Sequence, residues 1–227
     1  MRVLGRYEPG FQALLGLSLA LSAGPGCLTA QDTRALELME RAGARYQEVE
    51  AFCAVFHQEL VNPLLGETIL STGNLCQARP NLFSMRFADP AGDALVADGE
   101  HFWVFYPSVD SVQVLQFAME DRPGGMDFHR EFLEGSAEKY ELTYQGEETL
   151  GGHNTHLVHA SPRASGRFQE ARIWLDAARS LILKVQVEEE NGSVRTVALS
   201  EIDLAPSDDP DRFRFIPPPG TQIIRRQ

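Results

Sequence analysis

Two hydrophobic periods divide this chain. Between Asp32 and Val49 the apolar positions Ala35, Leu38, Met39, Ala42, Tyr46 and Val49 recur at helical spacing, with Arg34, Glu37, Arg41 and Glu48 on the opposite side. The pattern predicts one amphipathic helix with Asp32 as its N-cap and a single face to bury. From Phe52 the period drops to two, as Phe52, Ala54 and Phe56 alternate with Cys53, Val55 and His57. The loop NPLLGE separates this strand from TILSTGNLC, so the two fit an antiparallel hairpin. With the turn centred between Leu64 and Leu65, Leu60 faces Ile69 and Cys53 faces Cys76. Directly opposed residues have Cα atoms ~4.5 to 5.5 Å apart, within disulfide range. In an oxidising compartment this register predicts a Cys53–Cys76 bridge. A slip of one residue would instead leave two buried thiols.

The rest of the chain also reads as strands. DALVA and HFWVFY flank the turn signal Asp98-Gly99, and VQVLQF runs toward the breaker Arg122-Pro123-Gly124-Gly125. Met126 to Glu134 fits a short helix. KYELTYQGEE, HNTHLVHA, FQEARIWL, SLILKVQVEEE and SVRTVALSEIDL then form a meander, and FRFIPPPGTQII closes as an extended, proline-stopped tail. In CQARPNLFSMRF, Phe83, Met85 and Phe87 share one strand face, but Arg79-Pro80 interrupts the run before them. Proline cannot donate to a ladder, so a charge stands at a break between two strands. HFWVFY loads both its faces, with Trp103 and Phe105 on one and Phe102, Val104 and Tyr106 on the other. Either both faces are covered or one lines an apolar cavity, and the period alone does not choose.

Residues 1–30 stand apart. Arg2 and Arg6 precede an apolar run from Phe11 to Leu21, and small residues follow to Thr29-Ala30. That is the layout of a secretory signal peptide, with cleavage expected after Ala30 and Ala23 as the alternative site. The mature chain, 31–227, is then one domain outside the cytoplasm. Cys27 offers a rival as a lipidated residue, but Gly24-Pro25-Gly26 lacks the Leu that such a site wants three positions earlier.

With 20 basic against 32 acidic residues the net charge is −12, which offers nucleic acid no basic footprint and is repelled by anionic membrane surfaces. The chain contains no nucleophile elbow, no H-E-x-x-H and no C-x-x-C. His153, His156 and His159 have tempting metal spacing, but on a strand His156 points away from the other two. No catalytic residue, metal or cofactor is expected.

RPNLF at 79–83, VADGEHFW at 96–103 with Tyr106-Pro107 just beyond, and FRFIPPPG at 213–220 together resemble the LolA family of periplasmic carriers, which move lipoproteins toward the outer membrane. The motifs follow one another behind the helix and the AVFHQ strand, so the resemblance spans the mature chain. It is weakest between Gln113 and Arg172. It implies a mainly β fold with short helices: an incomplete, strongly curved antiparallel β-barrel with an α-helical lid over an apolar cavity for acyl chains. It further implies that Arg79, placed by Pro80, hydrogen-bonds main-chain carbonyls of the lid and latches the empty cavity. Phe83, Met85 and Phe87 would line that cavity, with Trp103 and Phe105 as further candidates. Many members carry a large aromatic where Met85 stands, and a flexible thioether suits irregular ligand shapes. The implied cargo is acylated lipoproteins. The implied partners are an inner-membrane releasing transporter and an outer-membrane acceptor, with the carrier itself a monomer. Two other readings stay open on the same scaffold, a carrier of glycolipid or phospholipid and an envelope-stress sensor. The acidic balance and the cysteine pair are not general features of the family.

Overall fold

The computed structural model describes residues 30–120, 128–164 and 168–226. The expected signal peptide as far as Thr29, Cys27 within it, and Met126 lie outside these residues. Helix α1, Ala30–Glu48, starts before the expected cap and so holds Asp32 within its first turn, where a carboxylate complements the positive end of the helix dipole. Its apolar stripe is buried as the pattern requires, with Ala35, Met39 and Ala42 fully covered.

The strands are β1 Ala51–Asn62, β2 Glu67–Ala78, β3 Leu82–Asp89, β4 Ala94–Ala97, β5 His101–Phe105, β6 Gln113–Ala118, β7 Tyr140–Leu150, β8 His153–Pro162, β9 Phe168–Asp176, β10 Ile182–Glu189, β11 Val194–Asp203 and β12 Gln222–Arg226. They form one 12-stranded sheet in the order β12-β6-β5-β4-β3-β2-β1-β11-β10-β9-β8-β7. Neighbours pair antiparallel except β12, which runs parallel to β6. The two end strands, β12 and β7, do not pair with each other, so the sheet stays open. Its curvature follows from what one apolar cluster contains: Phe83 and Phe102 from one arm, Val158, Ile173 and Leu175 from the other, and Met39 of α1 between them. A flat sheet could not bring both arms under one helix. Between β6 and β7, a π-helical turn, His129–Leu133, and the short helix α2, Ser136–Lys139, add Phe132 and Leu133 to the covering layer. The molecule is mainly β, an open curved sheet with helices over its concave face.

In the first hairpin Leu60 pairs with Ile69 and Cys53 with Cys76. The two cysteines are bonded, with Cα atoms 4.1 Å apart. Phe52 and Ala54, on either side of Cys53, belong to the interior cluster, so alternation puts the bridge on the convex face. Closing a loop of separation 23 contributes about 3 kcal/mol on the loop-entropy model.

A single glycine lets β3 approach β2 where Phe87 turns inward. The β2–β3 register shifts between Thr72 and Gly73. A Cβ at Gly73 would collide with the Arg86 carbonyl oxygen and lie 2.8 Å from Phe87 Cα. Both obstacles are backbone, so neither can swing away. Gly73→Ala should therefore lower the unfolding free energy by about 1–3 kcal/mol, the usual cost of overpacking. Denaturant melts would show this as an earlier midpoint, and an unchanged midpoint would mean the bulge has room to relax.

Candidate functional site

The last carbonyls of a helix have no partners within it. Here the chain leaves α1, turns through Val49-Glu50 and enters β1, and β2 then returns antiparallel to deliver Arg79 to the same end. The Arg79 backbone N–H donates to Glu50 O at 2.9 Å. Its side chain completes the contact: Nε donates to Val49 O at 3.1 Å, and Nη2 donates to Tyr46 O at 2.9 Å and to Gln47 Oε1 at 3.2 Å. A guanidinium carries five donors in one plane and keeps its charge, so it can serve several acceptors at a helix C-terminus while complementing the negative end of the dipole. Pro80 follows, and β3 starts at Leu82. A cleft of about 90 Å³ opens beside this contact, between Tyr46, Val49, Phe52, Arg79, Pro80 and His129.

Beneath the helix the interior is aromatic. Phe83, Met85 and Phe87 lie on the concave face of β3, exposed by 2%, 1% and 8%. Phe87 meets Phe56 edge-on at 5.0 Å between ring centroids and Tyr106 at 6.0 Å, while Phe83 and Phe102 lie 6.4 Å apart. Tyr46 of α1 meets Phe52 edge-on at 5.7 Å under the Arg79 contact. Leu38 and Met39 of α1 belong to the same buried cluster, while α1 itself lies against β7, β8 and the His129–Leu133 turn.

Trp103 and Phe105 do not join them. They pack with Ala94, Val96 and Val114 in a second cluster, on the convex face, where Phe215 covers them at 5.5 and 5.9 Å. The interior residue of this strand is Phe102. Phe83 pairs with Ala97, and Ala97 pairs with Phe102, so all three share one face. That register, rather than the aromatic content of the strand, is the signal that identifies Phe102. Trp103 has a different task, donating from Nε1 to Asp98 Oδ2 at 2.6 Å.

A polar cluster holds the other half of α1. The Arg34 guanidinium lies 4.6 Å above the Tyr144 ring and 3.4 Å from Glu147 Oε1. His156 Nδ1 lies 3.6 Å from the same oxygen. Burial holds the His156 imidazole below its ordinary value, against the opposing pull of Glu147. His153 and His159 face Asp176 and Glu170 instead, so the three histidines diverge to three carboxylates. Among the described residues, no group of three or more His, Cys, Asp or Glu could hold a metal ion.

Asp98 fixes the β4–β5 turn at the lip of the barrel. Burial alone would raise its carboxyl. The N–H groups of His101 and Glu100 and the Trp103 indole donate to it and outweigh burial, bringing it below the ordinary 3.8. A carboxylate lowered on folding adds stability above its unfolded value, and that stability is lost as pH falls through the folded one. Wild-type stability should therefore fall below pH 3.8, and Asp98→Asn should flatten that part of the curve. Equal slopes in pH-dependent melts would mean that these donors do not hold the carboxylate.

Comparison with known proteins agrees with this geometry. The profile of the family described as outer membrane lipoprotein carrier protein LolA matches residues 47–216. An outer-membrane lipoprotein carrier protein from Halorhodospira halophila is 29% identical over 180 residues, covering 78% of this chain and 81% of that one. Another from Alkalilimnicola ehrlichii is 26% identical and covers 96% of each chain. Among solved structures, an uncharacterized conserved protein from Thermus thermophilus superposes with a TM-score of 0.55 at 15% identity, covering 85% of this chain and 99% of that one. The Pseudomonas aeruginosa MucA/MucB complex gives 0.51 at 17% identity, covering 80% and 61%; both likenesses concern the fold alone. The chain belongs to the LolA family, whose members are non-enzymatic carriers.

Proposed function

We propose that this protein carries lipoproteins through the periplasm toward the outer membrane, holding their acyl chains between the concave sheet face and α1. The observation that carries the reading is the Arg79 contact with the Tyr46 and Val49 carbonyls, which fastens a separable helix over an aromatic interior. When α1 lifts, Phe83, Met85 and Phe87 become the walls of a cavity, and acyl chains replace the helix stripe against them. Each CH₂ kept from water contributes ~0.8 kcal/mol, so several long chains far outweigh the opening of a latch. The leader at 1–30 would deliver the chain to the periplasm. An inner-membrane releasing transporter would load it and an outer-membrane acceptor would unload it, with the carrier acting as a monomer.

On this reading the latch stabilises the empty, closed state and so competes with cargo. Arg79→Leu should bind a triacylated cysteine peptide more tightly and release it about tenfold more slowly, the consequence of removing ~1.4 kcal/mol from the closed form. A release rate equal to wild type in a stopped-flow transfer assay would remove Arg79 from this role. Phe83→Glu places an unpaired carboxylate on the cavity wall, which costs several kcal/mol in an apolar site. It should abolish binding of the same peptide, and wild-type affinity would place the lipid elsewhere.

A further inference from the structure

A second, larger groove adjoins the cleft beside Arg79. Ala51, Ala78 and Leu82, which line the cleft, also line this groove of about 480 Å³. These are the first residue of β1, the last of β2 and the first of β3. Their strand neighbours Phe52 and Phe83 belong to the interior cluster, so alternation directs Ala51 and Leu82 to the convex side. The opposite wall is the segment 206–214, which follows β11. Cleft and groove thus adjoin across Ala51, Ala78 and Leu82, near the end of α1.

This outer wall is anchored rather than loose. Arg212 Nη1 donates to Ser207 O at 2.7 Å, and Arg86 Nη2 on β3 donates to Arg214 O at 2.7 Å. Phe215 then packs against Trp103 and Phe105, while Pro206 and Pro210 restrict the backbone. A groove fixed in this way loses little freedom when it is filled. Its volume lies within the ~300–1,000 Å³ usual for ligand sites. Small side chains at Ala51 and Ala78 leave room for a backbone to come close, and Asp208, Asp209 and Arg212 offer polar partners along the wall.

We propose that this groove receives the extended polypeptide segment that follows the acylated cysteine of the cargo. The inference rests on the carrier reading above, and it names where the polar part of the cargo lies. Acyl chains can enter the interior, but the attached peptide groups cannot be buried there without hydrogen-bond partners, so the chain must leave at the lip. The groove adjoins the Arg79 end of α1, where lifting the helix would open the interior. An extended chain rises ~3.3 Å per residue, so a few residues occupy it. Asp98, Asp208 and Asp209 stand against Arg212 and Arg214 in the lining, a near balance of charge that suits a neutral tail.

Two probes test this on the full mature chain: a triacylated cysteine bearing a neutral tail of about six residues, and the same triacylated cysteine as its simple amide. Wild type should bind the tailed probe about tenfold more tightly. Ser207→Trp, which fills the groove from its exposed wall, should keep the amide affinity and bring the two probes within about twofold of each other. Equal affinity for the two probes in wild type overturns the groove assignment while leaving the carrier reading intact. A tail effect that survives in Ser207→Trp also overturns it. Failure of both probes to bind overturns the carrier reading, and the groove assignment falls with it.

Discussion

The carbonyls of Tyr46 and Val49 find their partner in Arg79, on the strand that returns beside the end of α1. On the proposed reading, that contact has to be strong enough to hold the helix and weak enough to yield. The apolar stripe of α1 belongs to the same buried cluster as Phe56, Phe83 and Met85, all nearly inaccessible. A helix welded on by further core packing could not be displaced. A charged hydrogen bond contributes about 1.5–3 kcal/mol, less where solvent reaches it, and Arg79 is exposed. That is enough to favour closure and small beside the burial of acyl chains in the proposed cargo. At its other half α1 is held by the Arg34, Tyr144 and Glu147 contacts, which are also partly exposed and weak.

If the lid is to move, the lip it closes on should not. The disulfide joins β1 to β2 on the convex side, two residues from the start of β1. Asp98 fixes the β4–β5 turn through three donors. The tail ties itself to β3 through Arg86 and to β5 through Phe215. These contacts leave the interior face untouched. On the proposed reading they would hold the frame in place while the helix moves, as a preorganised site requires.

Much of this frame was legible in the sequence because its determinants are local. The NPLLGE turn and the alternation on either side set the first hairpin register; Asp98-Gly99 marked the second hairpin, but the chain turns there on Gly99-Glu100, so Ala97 pairs with Phe102 and not with Glu100. The helix was readable from one stripe, although its start was not, since Ala30 and Gln31 continue the helix without any apolar signal. His156 and its neighbours were readable as strand residues that diverge. What escaped depended on distant partners. Trp103 and Phe105 look as suited to a cavity as Phe102; the register through Ala97 to Phe83 puts Phe102 inside, and Phe215, more than a hundred residues later, covers the other two. The parallel pairing of β12 with β6 and the anchored wall at 206–214 are long-range in the same way. For Arg79 the residue pattern showed only a charge at a strand break, and its acceptors are main-chain carbonyls, which no side-chain pattern reveals.

The most direct test of the account is native mass spectrometry of the mature protein isolated from its own envelope, with the bound species released and sequenced. The account predicts one equivalent of polypeptide bearing an acylated N-terminal cysteine. Phospholipid or glycolipid bound in its place, with no lipid-modified polypeptide at any loading, would contradict it.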